Sequence, residues 1–185
     1  MRAAPGPELD ALIDGPPGLA LLDLDLGVDA EGTRLDGVDL VRPLAAGGWT
    51  VVMITGVADE ERLGDALAEG AIGWVHKNEA FDDLVAACAA AAEGRPILPV
   101  ETRRVMLARR RSRDAERRAH QALLDRLTPR EREVLHALSE GSPVADIASR
   151  SHVSVATVRS QVQAIREKLE VGSQLEAAAL YRAGR

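Results

Sequence analysis

The sequence predicts an α/β unit built on a truncated, doubly wound parallel sheet, followed by a helical linker and an all-α unit of four helices. Three features of the chain predict this. Short apolar runs alternate with helical patterns through residues 1–100, as parallel βαβ units require. Residues 101–127 hold nine Lys or Arg against four acids, with neither Gly nor Pro. From residue 128 onward helix start signals recur and strand patterns do not. The expected division is therefore 1–100, 101–127 and 128–185.

The strands are expected at residues 19–24 (LALLDL), 50–55 (TVVMIT) and 71–77 (AIGWVHK). Each is a short apolar run of the kind that is covered on both faces. A helix over 39–46 is ended by Gly47 and Gly48, and one over 59–69 has an Asp start signal and Gly70 as its stop. Asn78 is expected to cap a helix over 79–93, closed by Gly94 and Pro96. A short helix over PELDALID precedes the first strand. In the linker, Val105, Ala108, Ser112, Ala115, Ala119 and Ala122 follow alternating steps of three and four. That is the seam of a two-helix contact, but a seam of alanines holds weakly, and a solvated helix is the preferred reading. Thr128, Pro129 and Glu131 then make a capping box with proline in the first turn.

Composition narrows the function. Apolar residues make up 46% of the chain, enough for one sizeable core or two small ones. Aromatics are only 2%, which removes the stacking platforms of a single-stranded RNA reader. No apolar run approaches the roughly eighteen residues of a membrane span, and MRAAPGPELD has no apolar signal core, so a cytoplasmic protein without a membrane partner is expected. Cys88 is the single cysteine, and His76, His120, His136 and His152 lack ligand spacing, so neither a disulfide framework nor a zinc cluster is expected. The net charge of −6 hides a division: residues 1–100 carry 6 Lys or Arg against 18 acids, and residues 101–185 carry 17 against 11. An acidic half repels a phosphate backbone and a basic half attracts one, so a nucleic-acid partner belongs to the second half.

LLDLDLG places Asp23 and Asp25 at the carboxyl end of the first strand, where open α/β sheets bind and react. Thr55 ends the second strand and Lys77 the third, so a hydroxyl and a cation converge on the acids. A phosphorylated carboxylate needs such partners. A haloacid-dehalogenase-like phosphatase would use Asp23 as nucleophile and Asp25 as general acid. It also needs later acids for Mg²⁺, and the nearest aspartates after Lys77 are Asp82 and Asp83, at the start of a helix.

LLDLDL, MITG and GAIGWVHKN together resemble the receiver domain of response regulators. The resemblance implies that Asp23 accepts phosphate from a sensor histidine kinase, Lys77 is its charge partner, Thr55 the switch hydroxyl and Trp74 the switch aromatic. A complete receiver begins with a strand bearing two adjacent acids, which bind Mg²⁺ with the acceptor. Only 22 residues precede Asp23, and they hold no such strand. Mg²⁺ is thus expected to find an incomplete site with Asp23 as its remaining ligand, and Asp25 and Asp29 are the nearest substitutes. The loop GVDAEGTRLDG is longer than the family's. The strand of Asp23 is expected at an open sheet edge, in a half that is either a degenerate dimerisation module or a piece of a longer receiver.

The carboxyl half, through LTPREREVL, EGSPVADIA, VSVATVRSQV and KLEVGSQLEAAAL, resembles the LuxR/NarL-type helix-turn-helix. Its residues point the same way. Val134, Leu135 and Leu138 give one apolar face, and Val144, Ile147 and Ala148 give another. Ser154 caps a third helix, whose Val158, Val162, Ile165 and Leu169 form an inward stripe. Arg159, Gln163 and Arg166 then share the opposite face, suited to base edges in a major groove. The resemblance implies that Arg159, Ser160 and Gln163 face bases, that Thr157 and Gln161 lie by phosphates, and that Lys168 adds backbone attraction, with Ser154 also among the DNA-binding residues. Leu175, Ala178 and Ala179 offer a small-residue face for a homodimer. The expected function is a transcriptional regulator of the two-component type that binds double-stranded DNA and is not an enzyme. The alternatives are the phosphatase and an interaction module that does not bind DNA.

Overall fold

The apolar segment Thr50–Thr55 lies at the centre of a three-stranded parallel sheet, between Leu19–Asp23 (β1) and Gly73–His76. The computed structural model describes residues 15–28, 32–57 and 59–184. The helix expected over PELDALID, and Asp29, lie outside the described residues. The chain divides into two compact units, residues 1–112 and 113–185.

In the first unit the elements after β1 are β2 (Asp25–Val28), β3 (Arg34–Asp36), α1 (Val38–Ala46), β4 (Thr50–Thr55), α2 (Glu60–Glu69), β5 (Gly73–His76) and α3 (Phe81–Ala92). Strand residues alternate between sheet faces, and β4 shows both faces covered. Val51 and Met53 pack with Val41 and Leu44 of α1 and with Leu63, Ala66 and Leu67 of α2, whereas Val52 packs with Val75 of β5 and Ala91 of α3. Helices on both faces of a parallel sheet make the doubly wound arrangement the sequence predicts. β1 is an edge strand, and Leu21 on it is 44% exposed.

Two local features depart from expectation. The long loop after Asp23 is an antiparallel hairpin, β2 with β3. It leaves the sheet over the backbone of β1: a Cβ on Gly37 would stand 2.0 Å from the Asp23 carbonyl oxygen, and Gly37 N–H donates to Leu24 O at 3.1 Å. Only a glycine fits that close approach. Asn78 does not cap α3. The Glu79 amide turns back onto His76 O, and the helix ladder begins at Ala80, whose carbonyl accepts from Asp83 and Leu84. By contrast Asp59 caps α2 as expected, accepting from the Arg62 amide at 3.1 Å.

The arginine-rich segment is one helix, α4 (Val100–Asp125), whose Met106 joins the first core and Leu124 the second. Val105, Ala108, Ser112, Ala115, Ala119 and Ala122 are all exposed on it. The second unit continues with α5 (Pro129–Ser139), α6 (Val144–Arg150), α7 (Val155–Leu169) and α8 (Gln174–Ala183). Val134, Leu135, Leu138, Ile147, Val158, Ile165 and Leu169 close a single core between them. Leu175 and Ala179 are exposed on α8, but Ala178 is 4% exposed and belongs to that core, so the expected small-residue face is narrower than three residues.

Candidate functional site

The second unit presents α7 through the turn that precedes it. His152 takes a left-handed conformation (φ 54°) after α6; its amide donates to Ser149 O at 3.2 Å and that of Val153 to Ala148 O at 3.1 Å. This pair of bonds satisfies the last carbonyls of α6 and reverses the chain. Ser154 then starts α7, its hydroxyl accepting from the Thr157 amide at 3.0 Å. Val158, Ile165 and Leu169 are at most 1% exposed, with Val162 packed beside them, so the expected stripe anchors the helix.

The eight residues expected at a nucleic-acid surface divide into two groups. Ser154, Thr157, Arg159, Ser160 and Gln163 are exposed, and the side chains of Arg159 and Ser160 make no hydrogen bond or ion pair within the described residues. Gln161, Arg166 and Lys168 are half-buried. The Arg166 guanidinium donates to Gly172 O and, at 3.2 Å, to Gln163 Oε1, while Gln163 Nε2 donates to Glu167 at 2.7 Å. Lys168 Nζ donates to both oxygens of Glu131, at 2.9 and 2.7 Å. The charged ends of Arg166 and Lys168 thus hold the fold together.

Glu131 is the hub of that second pairing. Its carboxylate also accepts from the Thr128 amide at 2.8 Å, completing the expected capping box. Burial pushes the Glu131 carboxyl up, but the Lys168 ammonium and the amide and hydroxyl of Thr128 outweigh it and hold the group below its ordinary value. The capping box was visible in the sequence. Its third partner, 37 residues along the chain, was not.

In the first unit Asp23, Thr55 and Lys77 line one cavity of about 350 Å³ at the carboxyl ends of the strands. Lys77 Nζ donates to Asp23 Oδ2, and the Asp25 amide donates to Oδ1 at 3.1 Å. The Lys77 ammonium, against a lesser cost of desolvation and with help from the Asp25 amide, holds the Asp23 carboxyl below its ordinary value. Thr55 is buried, and its hydroxyl bonds the carbonyl and amide of Val57, not Asp23. Trp74 is half-buried against the Met53 cluster and is not among the residues lining the cavity. Two lining cations escaped the sequence reading. Arg34 of the hairpin donates to Asp25 Oδ2 at 2.7 Å, and Arg62 of α2 donates to Leu24 O and, at 2.7 Å, to Asp36. The glycines on either side of VDAE were the available hairpin signal.

The described residues do not fit Mg²⁺. Among the described residues no group of three His, Cys, Asp or Glu side chains is placed to hold a metal ion. Both oxygens of Asp23 and both of Asp25 already receive an amide or a cation. A hard divalent ion needs several free oxygen ligands, and here cations of the chain itself stand against the carboxylates.

A strand-end carboxylate paired with a lysine, joined in one chain to a helix-turn-helix with an exposed third helix, defines the class of two-domain signalling regulators. Comparison with known proteins agrees. The bacterial regulatory proteins of the luxR family (GerE) match residues 125–181. The nitrate/nitrite response regulator protein NarL of Escherichia coli is 32% identical over 174 residues, 94% of this chain and 76% of NarL. The transcriptional regulatory protein LnrK of Bacillus subtilis is 32% identical over 169 residues, 88% of this chain and 74% of LnrK. A solved structure of the RcsB response regulator of Salmonella typhimurium is 26% identical, with a TM-score of 0.42 over 95% of this chain and 82% of that one. The chain belongs to the NarL-like response regulators, with a carboxyl half of the luxR family. These relatives give no support to the phosphatase alternative. No helix among the described residues is long and apolar enough to cross a membrane.

Proposed function

We propose that this chain is a cytoplasmic transcriptional regulator that binds duplex DNA as a homodimer through α7 and does not act as an enzyme. The observation that carries the reading is the contrast along that helix: one side locked into the core, the other presenting the side chains of Arg159 and Ser160 without partners among the described residues. In this reading Arg159, Ser160 and Gln163 meet base edges, and Ser154 and Thr157 lie against phosphates. Residues 128–185 carry the binding, 101–127 join the halves, and 1–100 receive the signal, with Asp23 as acceptor for a sensor histidine kinase. Arg166 and Lys168 act on DNA by positioning α7, and Gln161 stays at the edge of the contact.

Mapping of bound genomic fragments with the wild-type chain and with Arg159→Ala and Gln163→Ala tests the reading. Each substitution is expected to weaken binding to the mapped sites by about 2 kcal/mol, some thirtyfold, with folding stability unchanged. Binding unmoved by both substitutions refutes the role of α7. Absence of any sequence-specific binding favours the interaction module.

A further inference from the structure

The carboxamide of Gln163 lies on the exposed side of α7 with a partner at each end. Arg166 donates to its Oε1 at 3.2 Å, and its Nε2 donates to Glu167 Oε1 at 2.7 Å. A guanidinium has only donors and an ionised carboxylate only acceptors. The two ends of the amide are therefore not interchangeable, because a half-turn would set its nitrogen against a cation and its oxygen against an anion. We infer that Arg166 and Glu167 are positioning residues for base choice, holding the Gln163 amide in the one order that reads adenine and rejects guanine. The inference rests on the proposed docking of α7 in a major groove and names the base that Gln163 takes there.

Both pairs leave the amide half of its capacity: a second lone pair on oxygen and a second hydrogen on nitrogen. In the major groove adenine alone sets a donor, N6–H, beside an acceptor, N7, on a single base, and that lone pair and hydrogen match it. Guanine sets two acceptors there, O6 and N7. An unrestrained amide turns its nitrogen toward them, whereas a held one brings Oε1 up against an acceptor and is repelled. The fixed order also separates A·T from T·A, since N6 and N7 run in opposite directions across the groove on the two strands. The hold is firmest at Arg166, which is half-buried and also donates to Gly172 O in the turn before α8, where the Gly172 amide donates to Glu176 at 2.7 Å. Glu167 is exposed, and its carboxylate bonds Gln163 alone among the described residues.

Competitive binding of the full chain to a mapped site, with each base pair varied in turn, tests this. The position read by Gln163 is the one whose preference Gln163→Ala flattens, and in wild type it should favour adenine over guanine by about tenfold or more. Glu167→Ala should cut that ratio about threefold, the loss of one hydrogen bond, at this position and no other. Glu167→Gln should keep most of it, because a neutral carboxamide oxygen still accepts from Gln163 Nε2. The ratio is internal to each variant, so a change in overall affinity cancels. If Glu167 served only to repel phosphates, the alanine and glutamine variants would behave alike and every position would move equally. The inference is overturned if guanine is favoured at that position, if Glu167→Ala leaves the ratio unmoved, or if Glu167→Gln lowers it as far as Glu167→Ala does. A wild-type chain that selects its sites while Gln163→Ala flattens no position also overturns it and leaves the docking of α7 standing. A wild-type chain that selects no site removes that docking and the inference together.

Discussion

The cavity of the first unit and the outer side of α7 treat charge in opposite ways. Around Asp23 every carboxylate named above is met by a cation or an amide of the same unit. Along α7, Arg159 is left without such a partner, while the charged residues further along, Arg166 and Lys168, are engaged. Paired charges define a local geometry and leave little attraction over for an outside partner. An exposed cation left unpaired on a rigid helix keeps its attraction for a phosphate backbone or a guanine edge. Function in the second unit is therefore legible as what the fold leaves unsatisfied. In the first it resides in how the internal pairs would be rearranged.

The contrast is most strongly broken by removing the anchor of α7. Ile165→Ala is expected to cost the second unit about 3 kcal/mol, from lost burial and the cavity left behind. Both tryptophans, Trp49 and Trp74, lie in the first unit and the only tyrosine, Tyr181, in the second. Denaturation followed by tryptophan fluorescence should thus be unchanged, while tyrosine fluorescence and helical circular dichroism shift to lower denaturant. A common shift of both signals would show that the units do not unfold separately.

Gly37→Ala strikes the other side of the comparison. Forcing a methyl group against the Asp23 carbonyl is expected to cost the first unit about 2 kcal/mol. Here the tryptophan signal should move and the tyrosine signal should not.

A smaller effect sharpens the second unit alone. Glu131→Gln is expected to lose about 1.5 kcal/mol by replacing a charge-assisted pair with Lys168 by a neutral contact. The folded carboxyl lies below its ordinary value of 4.5. Its stabilisation is therefore complete above that value and is lost as the pH falls through the lower folded one. Wild type and variant should consequently converge in stability in acid, a comparison that urea melts at several pH values will read.

The smallest effect is a gain. His152 is exposed and left-handed, a conformation that costs an L side chain more than glycine. His152→Gly is expected to raise the stability of the second unit by about 0.5 kcal/mol, the relief of the left-handed backbone less the freedom that glycine adds to the unfolded chain. A thermal melt with a higher midpoint for the variant checks it.

The parts of the fold visible in the sequence are those with local causes. The TVVMIT run matches β4 because six apolar or β-branched residues have no other compact use, and the stripe of α7 follows from helical period alone. Caps at Asp59, Thr128 and Ser154 are also local, each a side chain bonding an amide three residues on. Asn78 shows the limit of the same rule, since the turn on His76 O took the chain past it before the helix began. The hairpin was hidden because DLGV and RLD are too short to show alternation. Arg34 and Arg62 reached the cavity through tertiary placement, as Lys168 reached Glu131, and no spacing along a chain encodes such meetings. Period alone also set Ala178 beside Leu175, although the core takes one and solvent the other.

The Thr128, Glu131 and Lys168 cluster has a mechanical consequence. It ties the start of α5 to the last turn of the helix whose first turns carry the exposed residues. A twist applied to the chain just ahead of Thr128 would reach α7 directly through one carboxylate, without first loosening the apolar interior.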